Sequence, residues 1–167
     1  MIARMRWIRH LFLDHLALKR AFPQATLSTI ERAVAEQERR HRGELRVAIE
    51  GGLPLQALLA GHSARERALE HFTRLRVWDT ADNAGVLIYL LLADRRVEIV
   101  ADRGIHARVG DTAWETICGA MQQQFAAGRF EAGVLTGLAA VSDLLAQHFP
   151  AGAGDKPNEL PDAPTLL

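Results

Sequence analysis

The sequence has very little of the residue types on which several common enzyme classes depend. Cys118 is its single cysteine, which excludes an internal disulfide framework and the paired-cysteine motifs of zinc and redox sites. Its three serines are Ser28 and Ser63, both placed as helix caps, and Ser142 inside a predicted helix, so a serine hydrolase is not expected. The P-loop, GxGxxG, HExxH and GxSxG motifs are absent, and the seven histidines show no metal-ligand spacing.

The chain also lacks an excess of charge of either sign. Its 20 basic and 20 acidic residues cancel, which argues against a nucleic-acid-binding protein that relies on a global positive field. The longest charge-free apolar run, Ala84 to Ala93, has about half of the roughly 20 residues that a membrane span requires. Charged residues interrupt the apolar runs near the N-terminus, so no cleavable signal peptide is expected. These absences predict a cytoplasmic protein, peripheral to the inner membrane if its N-terminal segment docks there.

Composition divides the 167 residues into three parts. Residues 1–22 form a basic amphipathic helix, residues 23–149 a single folded domain, and residues 150–167, with four prolines and two glycines, a flexible tail. The N-terminal helix has two interpretations: it lies on an anionic membrane, or, as is more usual, it packs on its own domain or on a partner. The side chains predicted to make this contact are Arg4, Arg6, Trp7, Arg9 and Phe12.

The periodicity of apolar residues predicts an α/β domain. Alternation over Glu44–Glu50 indicates a half-buried strand, and apolar runs at Val86–Leu92 and Val97–Ala101 indicate two more strands joined by a tight turn. Helical spacing around these strands predicts several helices, one of them with a capping box at Ser63 and Glu66. Because a helical crossover separates the first two strands, they should be parallel, whereas the hairpin is antiparallel. We therefore expect a three-layer αβα sandwich over a small mixed sheet, plus the N-terminal helix.

A group of oxygen-bearing side chains is the strongest candidate for a site. Asp79, Asp82 and Asn83 precede the second strand, and Asp102 follows the third. Ca²⁺ and Mg²⁺ prefer carboxylate, amide and carbonyl oxygens, which two converging loops can supply. In open α/β sheets ligands bind beyond the carboxyl ends of the parallel strands, and this group lies in loops beside such a sheet. The alternative, which these residues taken alone favour, is that they only fill turns and cap helices.

The segment from Asp79 to Gly104 resembles the TPM domain. The resemblance rests on an acidic loop followed by Asn83-Ala84-Gly85-Val86-Leu87-Ile88, Asp94-Arg95-Arg96-Val97-Glu98-Ile99 and Arg103-Gly104-Ile105. Upstream, Gly43-Glu44-Leu45-Arg46-Val47 is similar to the first strand of that domain, and residues 112–146 are similar to its two closing helices. The order and spacing of these pieces carry the resemblance, which covers about residues 28–148.

The resemblance implies a fold, a setting and a partner. The TPM family has an αβα sandwich, and its members include thylakoid-lumen proteins linked to photosystem II repair and many bacterial membrane proteins. Some members bind Ca²⁺ or have weak acid phosphatase activity. The chain is similar to a short bacterial branch without signal peptide and C-terminal transmembrane helix, for which a LemA-type membrane protein is the implied partner. It departs from the family pattern at Ala84, Asp102 and His106, where Asp102 adds a carboxylate and the other two remove oxygens.

Two functional hypotheses follow. The first is a non-enzymatic, partner-binding TPM-domain module of membrane-protein or envelope processes. It would hold Ca²⁺ or Mg²⁺ at Asp79, Asp82, Asn83 and Asp102. The alternative is a weak metal-assisted acid phosphatase acting on phosphomonoesters, with Asp79, Asp102 and Arg103 as candidate catalytic residues. The first is preferred because nothing in the spacing of these residues demands phosphatase chemistry.

Overall fold

A computed structural model describes His10, residues 15–154 and residues 156–167. Within these ranges, seven helices and four strands follow one another along the chain. The helices are α1 (His15–Ala21), α2 (Gln24–Glu38), α3 (Leu55–Leu59), α4 (Ala64–Arg74), α5 (Arg103–Val109), α6 (Asp111–Ala126) and α7 (Phe130–His148). The strands are β1 (Glu44–Glu50), β2 (Gly85–Leu91), β3 (Arg96–Ala101) and β4 (Thr165–Leu166). The side chains predicted to contact a membrane or a partner, Arg4, Arg6, Trp7, Arg9 and Phe12, lie outside the described residues.

The four strands form one mixed sheet in the order β3-β2-β1-β4. β1 and β2 run parallel with Glu44 opposite Gly85, as expected for strands joined by a helical crossover. β2 and β3 form the predicted antiparallel hairpin, with Val86 opposite Ala101. The amino ends of β1 and β2 and the carboxyl end of β3 therefore lie at the same edge of the sheet.

Helices cover both faces of this sheet and create two separate cores. On one face Val47, Ile88 and Ile99 pack with apolar residues of α1, α2, α6 and α7. On the other face Leu87 and Tyr89 pack with residues of α3 and α4. The predicted three-layer αβα sandwich is therefore confirmed. None of the described helices has both the length and the apolar composition that crossing a membrane requires.

The strand β1 differs from its prediction, because all of its residues are buried rather than alternate ones. β1 lies between β2 and β4 in the sheet, so its polar side chains are enclosed and take partners from neighbouring elements. Glu44 pairs with Lys156 at 2.6 Å, and the Arg46 guanidinium donates to the Ala163 carbonyl at 2.7 Å. The alternate polar residues of β1 therefore lie on a second buried face of the sheet and not on a solvated one.

The C-terminal segment also differs from the flexible tail that its composition predicts. Thr165 and Leu166 pair parallel to β1 as β4, and Leu160 is buried in the second core. The Leu160 N–H donates to a Glu44 carboxylate oxygen at 3.2 Å. The prolines and glycines thus allow an extended segment to follow the sheet edge, and tertiary contacts fix it there.

Candidate functional site

The acidic loop between α4 and β2 is built from two consecutive turns. In the first, the Asp79 N–H donates to the Arg76 carbonyl at 3.0 Å; in the second, the Asn83 N–H donates to the Thr80 carbonyl at 3.2 Å. Two residues adopt a positive φ: Arg76, which follows the C-cap of α4 and begins the first turn, and Asn83, which ends the second. The loop leads into the amino end of β2. Ligands were expected at the carboxyl ends of the parallel strands, which lie at the other end of the sheet.

The structure does not bring the four predicted cation ligands together as one site. Asp79 is half-exposed and forms an ion pair with Arg76 at 2.5 Å. Asp82 pairs with Arg42 at 3.2 Å. Among the described residues there is no group of three or more His, Cys, Asp or Glu side chains able to hold a metal ion. Two of the four predicted cation ligands, the carboxylates of Asp79 and Asp82, therefore already form ion pairs with arginines.

Asp102 has a different environment from these loop carboxylates. Its backbone N–H donates to the Gly85 carbonyl at 2.8 Å, which ties it to the amino end of β2. It is the N-cap of α5, where its Oδ1 accepts from the Arg103 N–H at 2.7 Å. Asp102 is only 8% exposed, and its Oδ2 has no hydrogen-bond partner among the described residues. Burying a carboxylate oxygen without a partner is costly, so this atom is poised to receive a donor or a cation.

A groove of about 700 Å³ opens beside Asp102 along the outer edge of β3. The floor is β3 itself, which has no neighbouring strand on that side within the described part of the chain. One wall comes from α4, with Leu69 and Phe72, and the other from α5 and α6. Trp114 of α6 lines this second wall and is 5% exposed. Its indole Nε1 is buried and, among the described residues, also lacks a hydrogen-bond partner.

Other polar side chains set the electrostatics of this groove. The Arg65 guanidinium donates to the Ile99 carbonyl at 2.6 Å and lies 3.8 Å from the Glu98 carboxylate. Burial raises the pKa of Glu98 above its ordinary value. Burial also raises the pKa of the Cys118 thiol to about 11, so the thiol is protonated at neutral pH and is a poor nucleophile. The groove therefore offers hydrogen-bonding groups and apolar contacts rather than an activated nucleophile.

The remaining candidate, Arg103, does not belong to this groove. Its side chain is exposed at the start of α5, and it does not line the cavity that Asp102 lines. Asp79 borders a different, smaller cavity together with Glu159 and Pro161. The three candidate catalytic residues therefore do not converge on one pocket.

Sequence patterns did not reveal the groove or the unpartnered Trp114 indole nitrogen beside it. Trp114 was predicted only as part of a helix, because helical spacing cannot tell whether an indole N–H finds a partner. An unpaired strand edge flanked by helices forms a channel, so the edge position of β3 would have indicated the groove. That position follows from the strand order, which depends on tertiary structure and is not visible in the sequence.

Comparison with known proteins places this fold in a family. A family model described as the TPM domain matches residues 18–144. The chain belongs to the TPM domain family. Among solved structures, it is similar to the BA42 protein of the psychrophilic bacterium Bizionia argentinensis, with 30% identity and a TM-score of 0.74 over 85% of this chain and 92% of that one. A search of curated proteins finds no significant match.

A second solved structure supports the TPM fold alone. The N-terminal domain of a protein from P. gingivalis is 19% identical, with a TM-score of 0.60, and the match covers 77% of this chain and 81% of that one. The structure also locates Ala84 and His106, where the sequence was expected to depart from the family pattern. Ala84 is fully buried and directly precedes β2. His106 lines the groove, 3.7 Å from the Asp111 carboxylate.

Proposed function

We propose that this TPM domain is a non-enzymatic binding module whose groove along β3 receives a segment of a partner protein. The observation that carries this proposal concerns two residues that line that groove, Asp102 and Trp114. Each has a buried polar atom, Asp102 Oδ2 and Trp114 Nε1, that lacks a hydrogen-bond partner among the described residues. Native proteins satisfy nearly all such atoms, so two of them on residues of one groove favour a partner that supplies the missing bonds.

The chemistry of the groove defines what the partner segment presents. It needs a hydrogen-bond donor or a positive charge for Asp102 Oδ2 and an acceptor, such as a backbone carbonyl, for the Trp114 indole. On the α4 wall of the groove, Leu69 and Phe72 offer apolar contact. The family resemblance names a LemA-type membrane protein as the partner to test, which fits a role in membrane-protein or envelope processes.

A divalent cation is a further part of this proposal. We assign Ca²⁺ or Mg²⁺ to Asp102 rather than to the full set of Asp79, Asp82, Asn83 and Asp102. Asp102 keeps an unpartnered oxygen, whereas Asp79 and Asp82 face arginines. Partner oxygens would complete the coordination, because hard cations take several oxygen ligands.

The phosphatase alternative has less support from the geometry. Phosphoryl transfer needs a nucleophile or activated water next to a positive group that stabilises the phosphoryl oxygens. Asp79 and Asp102 border different cavities, and Arg103 does not line the groove. Hydrolysis of p-nitrophenyl phosphate by the wild type, lost in Asp102→Asn and Asp79→Asn, would favour this alternative over the binding module.

Co-purification with a LemA-type protein tests the binding module. We expect the tagged full chain to retain the co-expressed partner, and Asp102→Asn and Trp114→Phe to lose it. Asn keeps the shape of the Asp102 side chain and still caps α5, and Phe fills most of the space of the indole while removing its N–H. Asp79→Asn and Trp78→Phe make the same chemical changes outside the groove and should retain the partner.

An NMR readout distinguishes a groove contact from an indirect effect. The chain has three tryptophans, so its indole N–H signals can be assigned by single Trp→Phe substitutions. Partner binding should shift the Trp114 signal and leave that of Trp78 in place. Retention of the partner by both groove variants, or a shift of Trp78 alone, would refute the groove as the binding site.

A further inference from the structure

A second groove lies at the end of the sheet where β2 turns into β3, and it differs in character from the first. It has a volume of about 860 Å³ and lies between α1, the start of α2, the β2–β3 turn and the α6–α7 turn. Its surface is mostly apolar, with Leu92, Phe130 and Ala21 among the lining residues. Because β2 ends where this turn begins, the groove lies at the carboxyl ends of the parallel strands, far along β3 from Asp102.

Three arginines surround this apolar surface. Arg20, Arg95 and Arg129 line the groove from three different elements, and all three side chains are exposed. None of them forms an ion pair with a described residue; Arg129 donates only to the Gln124 side chain at 2.6 Å. Among the described residues that line the groove, Glu131 is the single acidic one. The groove therefore presents positive charge that the described part of the protein does not neutralise.

His10, a residue of the basic N-terminal segment, lies at the same end of the molecule. His10 is buried, and its Nε2 lies 2.9 Å from a carboxylate oxygen of Asp94, the neighbour of Arg95. His10 Nδ1 accepts from the Leu53 N–H at 2.9 Å, close to the end of β1. A residue of the segment that carries Arg4, Arg6 and Arg9 in the sequence thus lies on the turn that forms one side of the groove.

The positive charge of this groove is local. The formal net charge of the chain is zero, so the three arginines are not part of a global positive field. A molecule with apolar surface and unpaired arginines at one end is oriented by an anionic surface. Guanidinium groups bind phosphate oxygens, and apolar residues between them contact the region just below the headgroups.

We propose that this end of the protein docks on the surface of an anionic lipid bilayer. Arg20, Arg95 and Arg129 contact the headgroup phosphates, and the apolar groove between them faces the interface. Asp102 lies at the other end of β3 from Arg95, so that end of the first groove remains open to a partner. The proposal is independent of the proposed function of that groove.

Vesicle sedimentation of the full chain tests this docking surface. Sucrose-loaded vesicles of equal parts phosphatidylglycerol and phosphatidylcholine should pellet the protein, and pure phosphatidylcholine vesicles should not. Binding should weaken as salt rises, because the contact is electrostatic. Each basic residue near an anionic surface contributes about fivefold in partitioning, so Arg95→Glu/Arg129→Glu should reduce binding by about 25-fold or more.

A double variant of equal charge serves as the control. Arg32→Glu/Arg103→Glu changes the net charge by the same amount at two exposed arginines that do not line the groove. It should bind anionic vesicles nearly as well as the wild type. Equal loss in the two double variants, equal binding to both kinds of vesicle, or no binding to anionic vesicles at low salt would overturn the proposal. Circular dichroism of each variant shows whether it is folded.

Discussion

Gly104 lies directly against the backbone carbonyl of Asn83. A Cβ atom at Gly104 would be 2.5 Å from the Asn83 carbonyl oxygen and 3.0 Å from that of Asp82. This contact packs the first turn of α5 onto the acidic loop and so holds the loop beside Asp102. The glycine of the Arg103-Gly104-Ile105 motif therefore has a packing role that any side chain would disturb.

Replacing Gly104 with alanine should destabilise the protein. The neighbouring atoms are backbone rather than the end of a flexible side chain, so the loop or α5 must shift to make room. We expect a loss of about 1–3 kcal/mol in the free energy of unfolding, as for other overpacked sites. Urea denaturation followed by circular dichroism measures this loss.

Gly119→Ala is the matched control for this prediction. Gly119 also lies in a helix, α6, but a Cβ there would meet nothing within 4 Å. Alanine should therefore be neutral or stabilise the protein by about 0.5–1 kcal/mol, because it favours the helix. The packing explanation for Gly104 is wrong if both alanine variants show the same change in stability.

The C-terminal segment should depend on the ion pair between Lys156 and Glu44. Glu44 is fully buried, and Lys156 Nζ lies 2.6 Å from its Oε1. Lys156→Gln leaves that carboxylate without a cation, which at a buried pair costs about 3 kcal/mol. Hydrogen exchange should then show faster exchange of the amides in residues 156–167 than in the wild type.

A surface pair and a double variant provide the comparison. Arg40 and Asp143 form an ion pair whose side chains are 45% and 68% exposed, so Arg40→Gln should cost less than about 1 kcal/mol. Adding Glu44→Gln to Lys156→Gln should restore part of the lost stability, because the buried charge is then removed. Unchanged exchange in the Lys156→Gln variant would show that β4 and Leu160 hold the segment without the ion pair.

Glu38 should make the stability of the protein fall as the pH rises. Burial raises the pKa of Glu38 from 4.5 to about 7, with Glu44 adding to the rise and the Leu45 N–H and Lys156 opposing it. In the unfolded chain the carboxyl ionises at its ordinary pKa, so the folded state loses relative stability between about pH 4.5 and 7. The loss attributable to this one group is up to about 3 kcal/mol.

Glu38→Gln isolates this contribution. The amide retains an oxygen that accepts from the Leu45 N–H, as the Glu38 carboxylate does at 2.7 Å, but it does not ionise. The difference in unfolding free energy between variant and wild type should grow in favour of the variant from pH 4.5 to 8. His41 has the opposite effect: burial lowers its pKa to about 4, so its contribution to stability is lost as the pH falls below 6.5. Both proteins contain His41, so this effect cancels in the difference between their unfolding free energies. A difference that does not change with pH would contradict the assignment to Glu38.

Local sequence signals were sufficient to predict much of the fold. The capping box of Ser63 and Glu66 forms as predicted, with the Ser63 N–H donating to the Glu66 carboxylate at 2.7 Å. The prediction of Ser28 as a cap is wrong, because α2 already begins at Gln24 after Pro23. Such signals depend on residues a few positions apart, which the sequence shows directly. The hairpin of β2 and β3 and the parallel pairing of β1 also follow from apolar runs and the length of the connection between them.

The candidate site could be predicted only in part, because it depends on contacts between distant residues. Asp102 does lie in a groove, but the partners of Asp82 and Glu44, namely Arg42 and Lys156, are distant in the sequence. Composition likewise predicted a flexible C-terminal segment, since prolines and glycines carry no information about the strand edge they follow. The buried face of β1 had a usable signal, since parallel strands are covered on both faces.

The response of the protein to Ca²⁺ or Mg²⁺ should depend on Asp102 and not on Asp79. Asp102 Oδ2 has no hydrogen-bond partner among the described residues, whereas the Asp79 carboxylate lies 2.5 Å from the Arg76 guanidinium. A cation at 100 times its dissociation constant stabilises the folded state by about 2.7 kcal/mol, which raises the unfolding midpoint of a domain of this size by roughly 5–10 °C. We expect this rise in the wild type and in Asp79→Asn, relative to EDTA, and its loss in Asp102→Asn. A rise that survives Asp102→Asn but disappears in Asp79→Asn would return the site to the acidic loop, and no rise in the wild type would remove cation binding from the proposed function.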